Sequence, residues 1–432
     1  MMSKFHGLAV ASCAAALACS GAPSSGTGND GGAAPGGGGA AMPGAGSGGT
    51  AGTVGGSAGG MSMPGAGAGG KGHGGTAGAG MGTGGASSAS GGTSSMSSGG
   101  GEPITTGPWT AETENLAGLS SSCGTLLHVS SRPDRDMLIA GVVDNGLWAN
   151  ADGATSWTQL GGAPQPVANG VSSILYDPTK PDTFWESGTY GPCAYVTTDN
   201  GSTFSALGDA THCDSISVDF TDPARQTVLA GGHERHIVWR STDGGQTWND
   251  VGPNIPAAAG YTGFVLTLGS KVHLAATWNS ATGGVFRSVD GGSTWSQVFT
   301  GPIDSRPLLA SDSAIYWVLH NTEGTAGLIK STDQGATWAK VAGSDGIIST
   351  EAGIAELPDG RFVTVGNTNL IISADHGATW NPVGPALPFS PWGVTYSKFR
   401  KKLFIWHFTC TNGSQPVAPD ALQSIPFDSA SQ

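Results

Sequence analysis

Apolar and polar residues alternate in short segments along residues 105–432, and residues that favour turns separate the segments. One clear example contains four predicted strands, at residues 215–220, 227–231, 236–240 and 247–251. Alternation over four to eight residues is typical of half-buried β-strands, and Asp, Pro and Gly between them are typical of turns. The chain from residue 105 onwards is therefore predicted to be all-β.

The turn between the third and fourth strands carries a repeated motif, S-x-D-x-G-x-x-W. Full copies occupy residues 241–248, 288–295, 331–338 and 373–380, a weaker copy ends at Phe204, and a degenerate copy has Ala154 in the Gly place. The motif aspartates recur every 42 to 47 residues, at Asp152, Asp199, Asp243, Asp290, Asp333 and Asp375. Ser and Asp side chains bind backbone amides in turns, and Gly adopts positive φ without steric cost. A period of this length predicts a repeat architecture.

Seven repeats of about 47 residues fill residues 105–432, which predicts a seven-bladed β-propeller. The last repeat has candidate strands at residues 393–397, 403–407 and 421–427 but lacks a motif and a fourth strand. Residues 107–111 can supply that strand. Pairing the two ends of the domain in one sheet removes exposed sheet edges, so we expect the ring to close in this way.

The motif resembles the Asp-box (BNR) repeat of sialidases, xyloglucan-specific endoglucanases, sortilin-type receptors and photosystem II assembly factors. The resemblance implies a propeller whose boxes lie on the face away from the active site, so that the six aspartates are structural. Two enzyme signatures of these families are missing. Residues 131–133, Ser-Arg-Pro, stand where sialidases have R-I-P, and residues 148–153 depart from the R-T-D-x-G-G segment of xyloglucan-specific enzymes.

The first 104 residues differ sharply in composition from the rest. Residues 1–19 have one Lys and a short apolar run, as export signals do, and end in a sequence that resembles a lipobox with Cys19 as the lipidated residue. Cys13 is the alternative lipidation site, and an ordinary secretory signal is the alternative to both. Residues 20–104 are a predicted disordered tether, because 34 of the 80 residues from 21 to 100 are Gly and two are charged. The resulting expectation is an outer-membrane or cell-surface lipoprotein.

Four cysteines remain in the predicted propeller, and an exported chain can form disulfides. Cys213 begins the first strand of its blade, and Cys193 lies between the second and third strands of the preceding blade. Cys123 and Cys410 have the same relation across the closure of the ring. We therefore predict Cys193–Cys213 and Cys123–Cys410 disulfides. Metal binding is the alternative, but the sequence has no C-x-x-C spacing.

In related propellers, the ligand face carries the loops from strand two to three and from strand four to the next blade. Here the densest polar cluster in such loops comprises residues 212–214 and 233–236. The predicted ligand-binding residues are His212, His233, Arg235, Tyr190, Trp278 and Trp392, and the catalytic candidates are Asp214, Glu234 and Glu351. The same loops offer Asp144, Glu186, Tyr261, Arg306, His320 and His407. Solvated polar loops without a function are the alternative interpretation.

These features favour a surface-tethered module that binds an extracellular polysaccharide or a surface protein, with a membrane contact through a lipid anchor only. The alternative is a glycoside hydrolase that uses two carboxylates across the ligand-face cleft. A zinc or copper site at His233, His320 and His407 is a weaker alternative, and no cofactor is expected. The net charge of -13, from 18 basic and 31 acidic residues, argues against nucleic-acid partners.

Overall fold

A computed structural model describes residues 106–121, 126–162, 167–303, 305–320, 327–349, 352–409 and 413–429. Within these residues, the strands form seven four-stranded antiparallel sheets and one two-stranded sheet. The seven sheets follow one another around a ring, which makes the fold a seven-bladed β-propeller, as predicted. Neighbouring sheets bury apolar side chains between them, so the core is distributed over the interfaces between blades.

The strands are short, and their order within each blade follows the chain. In chain order the strands are β1 Thr110–Ala111, β2 Ser120–Ser121, β3 Leu126–Ser131, β4 Met137–Val142, β5 Gly146–Ala151, β6 Thr158–Gln159, β7 Gly170–Tyr176, β8 Phe184–Thr189, β9 Ala194–Thr197, β10 Ser205–Ala206, β11 Cys213–Val218, β12 Val228–Gly232, β13 Val238–Ser241, β14 Asn249–Asp250, β15 Phe264–Thr267, β16 His273–Thr277, β17 Gly284–Ser288, β18 Ser296–Thr300, β19 Leu308–Leu309, β20 Ile315–Val318, β21 Leu328–Ser331, β22 Ala339–Lys340, β23 Ala355–Glu356, β24 Phe362–Val365, β25 Leu370–Ser373, β26 Asn381–Val383, β27 Gly393–Ser397, β28 Lys402–Trp406, β29 Gln415–Pro416 and β30 Leu422–Pro426. Short 3₁₀ helices span Glu114–Leu116, Gly252–Asn254 and Ala257–Ala259.

Blades 1 to 6 take four consecutive strands each, beginning at β3, β7, β11, β15, β19 and β23. Blade 7 has the order β1-β30-β28-β27, so the first strand of the domain is its outermost strand. Thr110 pairs with Ser424, and Ala111 pairs with Gln423. Trp109 packs on the apolar cluster that contains Ile425. The predicted closure of the ring by both ends of the domain is therefore confirmed.

The turn between the third and fourth strands has a fixed hydrogen-bond pattern. In blade 3, the Ser241 hydroxyl donates to Asp243 Oδ1 (2.7 Å) and accepts the Gly245 amide (2.8 Å). The Asp243 carboxylate accepts the Thr247 amide (2.9 Å) and the Thr247 hydroxyl (2.6 Å). The same four bonds recur in the boxes that begin at Thr197, Ser288, Ser331 and Ser373. The motif thus closes each hairpin through bonds within the turn itself.

Each box also docks on the preceding blade. Gly292 has φ 87°, and a Cβ there would lie 2.8 Å from Val251 Cγ2 of blade 3. Trp295 Nε1 in the same box donates to the Val251 carbonyl at 3.2 Å. Gly is therefore required for both its positive φ and its close contact, while the Trp joins two blades.

Blade 1 departs from this pattern. The Asp152 carboxylate makes none of the four bonds, and Asn150 instead donates to the carbonyl of Ala154 at 2.8 Å. Ala154 stands in the Gly place of this degenerate box, which explains why the turn differs. In this turn Asn150, rather than Asp152 as predicted, supplies the side-chain hydrogen bond to the backbone.

The box bonds predict sensitivity to acid. Bonds from the Thr247 hydroxyl and amide and from Ser241 lower the pKa of Asp243 to about 2, and the aspartates at 290 and 333 have the same environment. Because the folded-state pKa lies below the unfolded one, these carboxylates stabilise the fold above about pH 4, and this stability is lost as pH falls through about 2. We expect the urea midpoint to fall over that range, and to fall less steeply in Asp243→Asn. Asp152→Asn is the matched control, because the Asp152 carboxylate makes none of the four box bonds, and Asp243→Asn should have the larger effect on the midpoint.

The strand order places the connections on two opposite faces. Because the strands of a blade are antiparallel, the boxes share one face with the turns between strands one and two. We call it the box face. The other face, here called the loop face, carries the connections from strand two to three and from strand four to the next blade. None of the described helices has the length and apolar character needed to cross a bilayer.

Candidate functional site

Side chains from two blades form a hydrogen-bonded chain on the loop face. His233, in the β12–β13 loop of blade 3, contacts Asp214 Oδ1 through Nδ1 at 2.8 Å. Its Nε2 lies 3.3 Å from the hydroxyl of Tyr190, in the β8–β9 loop of blade 2. The Tyr190 ring also lies edge-on to His212, with centroids 6.0 Å apart. The structure thus brings four predicted site residues together. An Asp–His–Tyr chain of this kind can position the phenol oxygen and pass a proton along it.

The backbone of this cluster is held in an unusual conformation. Tyr190 and His212 both have φ 57°, and Glu234 has φ 49°. Positive φ is uncommon for residues other than Gly and concentrates at functional sites. Cys193 and Cys213 form a disulfide with Cα atoms 4.9 Å apart, which links the two loops that carry Tyr190 and His212. This pairing was predicted from the sequence. Cys123 and Cys410 lie outside the described residues.

An aromatic row continues the site across blades 4 and 5. Tyr261 stacks on Trp278, with ring centroids 6.1 Å apart and planes 13° apart. Trp278 in turn meets the His320 ring of blade 5 edge-on at 5.5 Å. Asp214 of blade 3 lies next to the backbone of blade 4. A Cβ added to Gly263 there would lie 2.7 Å from Asp214 Oδ2. We call the set of loop-face residues Tyr190, His212, Asp214, His233, Tyr261, Trp278 and His320 the aromatic arc.

A cleft of about 530 Å³ opens on the opposite side of the ring, between blades 6 and 7. Its walls come from the connections around Ile348, Asn367 and Phe389, which all belong to the loop face. Phe389 contacts the His407 ring at 5.2 Å. The cleft and the aromatic arc occupy different sectors of one face. The arc carries the polar chemistry, whereas none of the described residues that line the cleft is charged.

The other predicted site residues have separate positions. Glu234 and Arg235 are exposed at the tip of the β12–β13 loop. Trp392 packs against the apolar core between blades 7 and 1, and its ring lies 4.9 Å from that of Phe408. Glu351 lies outside the described residues, as does Cys19. The catalytic pair of carboxylates therefore remains a prediction.

Glu186 is not a loop residue, contrary to the sequence interpretation. It lies in the second strand of blade 2 and is fully buried, opposite Tyr195, whose ring belongs to the apolar cluster between blades 1 and 2. Burial raises its pKa to about 8, although a hydrogen bond from Asn169 acts in the opposite direction. The side chain is neutral at pH 7 and faces no solvent, so it does not belong to the surface site.

The three histidines considered for a metal site have separate surroundings. His233 contacts Asp214 and Tyr190, whereas His320 packs on Trp278 and His407 on Phe389. In the described parts of the chain, no group of three His, Cys, Asp or Glu residues is arranged to hold a metal ion. The loop-face histidines instead serve as hydrogen-bonding and ring-packing groups.

The basic segment at residues 398–402 forms a turn of blade 7 on the box face. Arg400 binds Asp136 (2.5 Å), Lys401 binds Asp428 (2.7 Å), and Lys402 binds Glu112 (2.6 Å). Most of its charge is thus neutralised within the domain. A turn with paired charges does not form the clustered basic surface that phosphate binding needs.

Two residues of the loop face could not be distinguished from their neighbours by sequence alone. Arg306 and Tyr261 were two polar or aromatic loop residues among many. The structure distinguishes them, because Tyr261 stacks on Trp278 and Arg306 lies over Phe264 at 6.0 Å. The available signal was their position directly before the first strands of blades 4 and 5.

Comparisons by sequence give no match to a family model and none to a curated protein. Solved structures do match. The GH74 enzyme of Niastella koreensis is similar over 69% of this chain and 53% of its own, with 16% identity and a TM-score of 0.52. The extracellular domain of a proposed one-component system from B. thetaiotaomicron is similar over 73% of this chain and 40% of its own, with 8% identity and a TM-score of 0.51.

A GH74 xyloglucanase from Xanthomonas campestris matches with 19% identity and a TM-score of 0.48, over 72% of this chain and 56% of its own. The chain thus spans about half the length of the two GH74 proteins. At these identities the similarity shows the fold, a β-propeller, and nothing about the activity of this chain.

Proposed function

We propose that this chain is an exported propeller that binds an extracellular glycan on its loop face, with residues 1–104 serving as signal and lipid-anchored tether. The observation that carries the proposal is the aromatic arc. Tyr190 and Tyr261 are 49% and 45% exposed, and both lie beside hydrogen-bonding groups on one face. Exposed aromatic rings next to polar groups suit sugars, which have apolar ring faces and hydroxyl rims.

The arrangement favours a glycan over a protein partner. A stable protein interface needs an extended patch with an apolar centre. The aromatic rings of the arc instead lie beside hydrogen-bonding groups, because Asp214 bonds to His233 and Trp278 meets the His320 ring. The similarity to GH74 enzymes is compatible with this proposal, but at 16% identity it adds only the fold.

The arc can be tested with aromatic substitutions. Tyr190→Ala and Trp278→Ala should each weaken glycan binding about tenfold, because an aromatic ring at the centre of an interface commonly contributes at least that much. Binding of the full-length chain would be followed by calorimetry, with glycans first identified on an array. Phe399→Ala is the matched control, since this ring is 44% exposed but lies in the first turn of blade 7, on the box face.

The proposal fails if no glycan binds the wild-type chain, or if Phe399→Ala weakens binding as much as the two arc variants do. Binding of a surface protein with no glycan requirement would support the protein alternative instead. Thermal unfolding of each variant would show that the blades remain folded.

Hydrolysis is the second candidate function, and the Asp214–His233–Tyr190 chain is the observation that favours it. Glycoside hydrolysis requires a proton donor and a base or nucleophile on either side of the scissile bond. Asp214 and Glu234 belong to one sector of the loop face, where they could take these roles. Release of reducing ends from the glycans that bind, lost in Asp214→Asn, would distinguish an enzyme from a binding module.

A further inference from the structure

Three largely buried arginines on the box face join neighbouring blades. Arg225 of blade 3 makes a two-point ion pair with Asp177 of blade 2. Arg132 of blade 1 donates to Asn200 of blade 2 at 2.7 Å, and Arg400 of blade 7 donates to the carbonyl of Asn150 in blade 1 at 2.8 Å. A guanidinium that is removed from water in this fold is therefore normally satisfied by protein acceptors.

Arg306 on the loop face does not follow this pattern. It precedes the innermost strand of blade 5, and its guanidinium packs over the ring of Phe264 in blade 4 at 6.0 Å. Its Nε is buried and has no hydrogen-bond partner among the described residues. Burial lowers the pKa of Arg306 to about 10, although Asp214 acts in the opposite direction. The side chain is still charged at pH 7, so the fold holds a half-buried cation whose Nε has no bonded partner among the described residues.

A second polar group without a partner lies in another innermost strand, beside the central channel that the blades of a propeller enclose. His128 lies in β3, the innermost strand of blade 1, with its ring edge-on to Trp406 at 5.8 Å. Its Nδ1 is also buried without a partner among the described residues. Burial, and then the charge of Arg306, hold the pKa of His128 well below its usual value. The ring is therefore neutral, and it lies within electrostatic range of the arginine.

We propose that Arg306 and His128 form a subsite for a carboxylate at the mouth of the central channel, and that this subsite selects glycans that contain uronic acids. The inference rests on the proposed glycan binding and adds the charge of the ligand. A guanidinium has donors in a fork that matches a carboxylate, and such charge-assisted bonds are strong where water is excluded. A neutral imidazole can add one further donor.

The charge balance around the subsite favours a singly charged group. Arg306 supplies one positive charge, and Asp214 supplies one negative charge within its electrostatic range. Because the charges of Arg306 and Asp214 oppose each other, a phosphate dianion gains little attraction beyond that of a carboxylate and costs more to remove from water. A carboxylate can bind Arg306 while Asp214 remains bonded to His233. The aromatic arc includes this same Asp214, so a sugar chain on the arc can place one carboxylate over Arg306.

The thermal stability of an Arg306 variant distinguishes a structural role from a binding role. If the guanidinium supported the fold, its removal would destabilise the propeller. Because its Nε is buried without a partner among the described residues, we expect Arg306→Gln to keep or raise the thermal midpoint while the preference for the acidic glycan is lost. Residues at binding sites commonly show this conflict between stability and function.

The test compares two ligands and three proteins. Calorimetry on the full-length chain would use oligogalacturonate and its methyl ester, which lacks the negative charge and carries one added methyl group on each carboxyl. The wild type should bind the acid at least about tenfold more tightly than the ester, as expected for a charge-assisted contact. Arg306→Gln should abolish that difference without weakening binding of the ester. Arg287→Gln is the matched control, because Arg287 donates to the Gln334 carbonyl away from the arc.

Each other outcome overturns the inference. If the wild type binds acid and ester equally, glycan binding stands but the carboxylate subsite does not exist. If Arg306→Gln still prefers the acid, the selectivity arises elsewhere. If binding follows sulfated glycans instead, the subsite is not specific for carboxylates. If no glycan binds at all, the proposed function fails together with the subsite.

Discussion

Asp177→Ala is expected to destabilise the propeller by about 3–5 kcal/mol, because it leaves a buried arginine without its counter-charge. Asp177 is fully buried at the end of β7, and Arg225 is 7% exposed. Arg225 Nε and Nη2 donate to the two carboxylate oxygens at 2.8 and 3.0 Å. Burial alone would raise the pKa of Asp177, but Arg225 and Thr179 outweigh it and hold the pKa well below its usual value. The free energy of urea-induced unfolding measures the effect.

The matched control is Asp182→Ala. Asp182 binds Arg135 at 2.9 Å, but it is 57% exposed, and an exposed ion pair contributes about 0–1 kcal/mol. A double variant, Asp177→Leu with Arg225→Met, should recover much of the lost stability, since removing both charges also removes the unpaired one. Equal losses in Asp177→Ala and Asp182→Ala would show that burial of the pair is not what matters.

The fold was predictable because its main determinants are local. The box residues Ser241, Asp243 and Gly245 bind one another within a single turn, so their spacing in the sequence is enough to predict the conformation of that turn. Closure was predictable from the missing strand of the last repeat. The lengths of the outer strands were not: β14 covers only Asn249–Asp250, where five residues were expected. An outermost strand has one neighbour, and tertiary packing rather than pattern decides where its pairing ends.

The location of the site was only partly predictable. The sequence identified the loops, and the structure then joined His233 to Asp214 and Tyr190, which lie 19 and 43 residues away. Which polar residues are buried could not be inferred. A second strand such as β8 is covered on both sides by neighbouring blades, so alternation gives no indication of an exposed face. Glu186 was misplaced for this reason, and the unpaired state of Arg306 depends on contacts with other blades.

The buried carboxyl group of Glu186 predicts an unusual pH dependence. Its Oε2 has no hydrogen-bond partner among the described residues, and Asn169 donates to Oε1 at 3.2 Å. Because burial raises the pKa to about 8, the folded chain holds this proton between pH 4.5 and 8, whereas the unfolded chain releases it. The unfolded state therefore binds fewer protons, and the contribution of Glu186 to stability falls as pH rises through this range.

Glu186→Gln removes this titration while keeping the shape of the side chain. The difference in unfolding free energy between the variant and the wild type should therefore shift in favour of the variant by about 1.4 kcal/mol per pH unit above pH 4.5, or about 3 kcal/mol by pH 7. Urea unfolding at a series of pH values measures this difference. Asp209→Asn, which removes an exposed carboxylate from the same blade, should stay within about 0.5 kcal/mol of the wild type throughout. If the difference in unfolding free energy between Glu186→Gln and the wild type did not change with pH, the prediction would be wrong. The carboxyl group would then be ionised in the folded chain as it is in the unfolded chain.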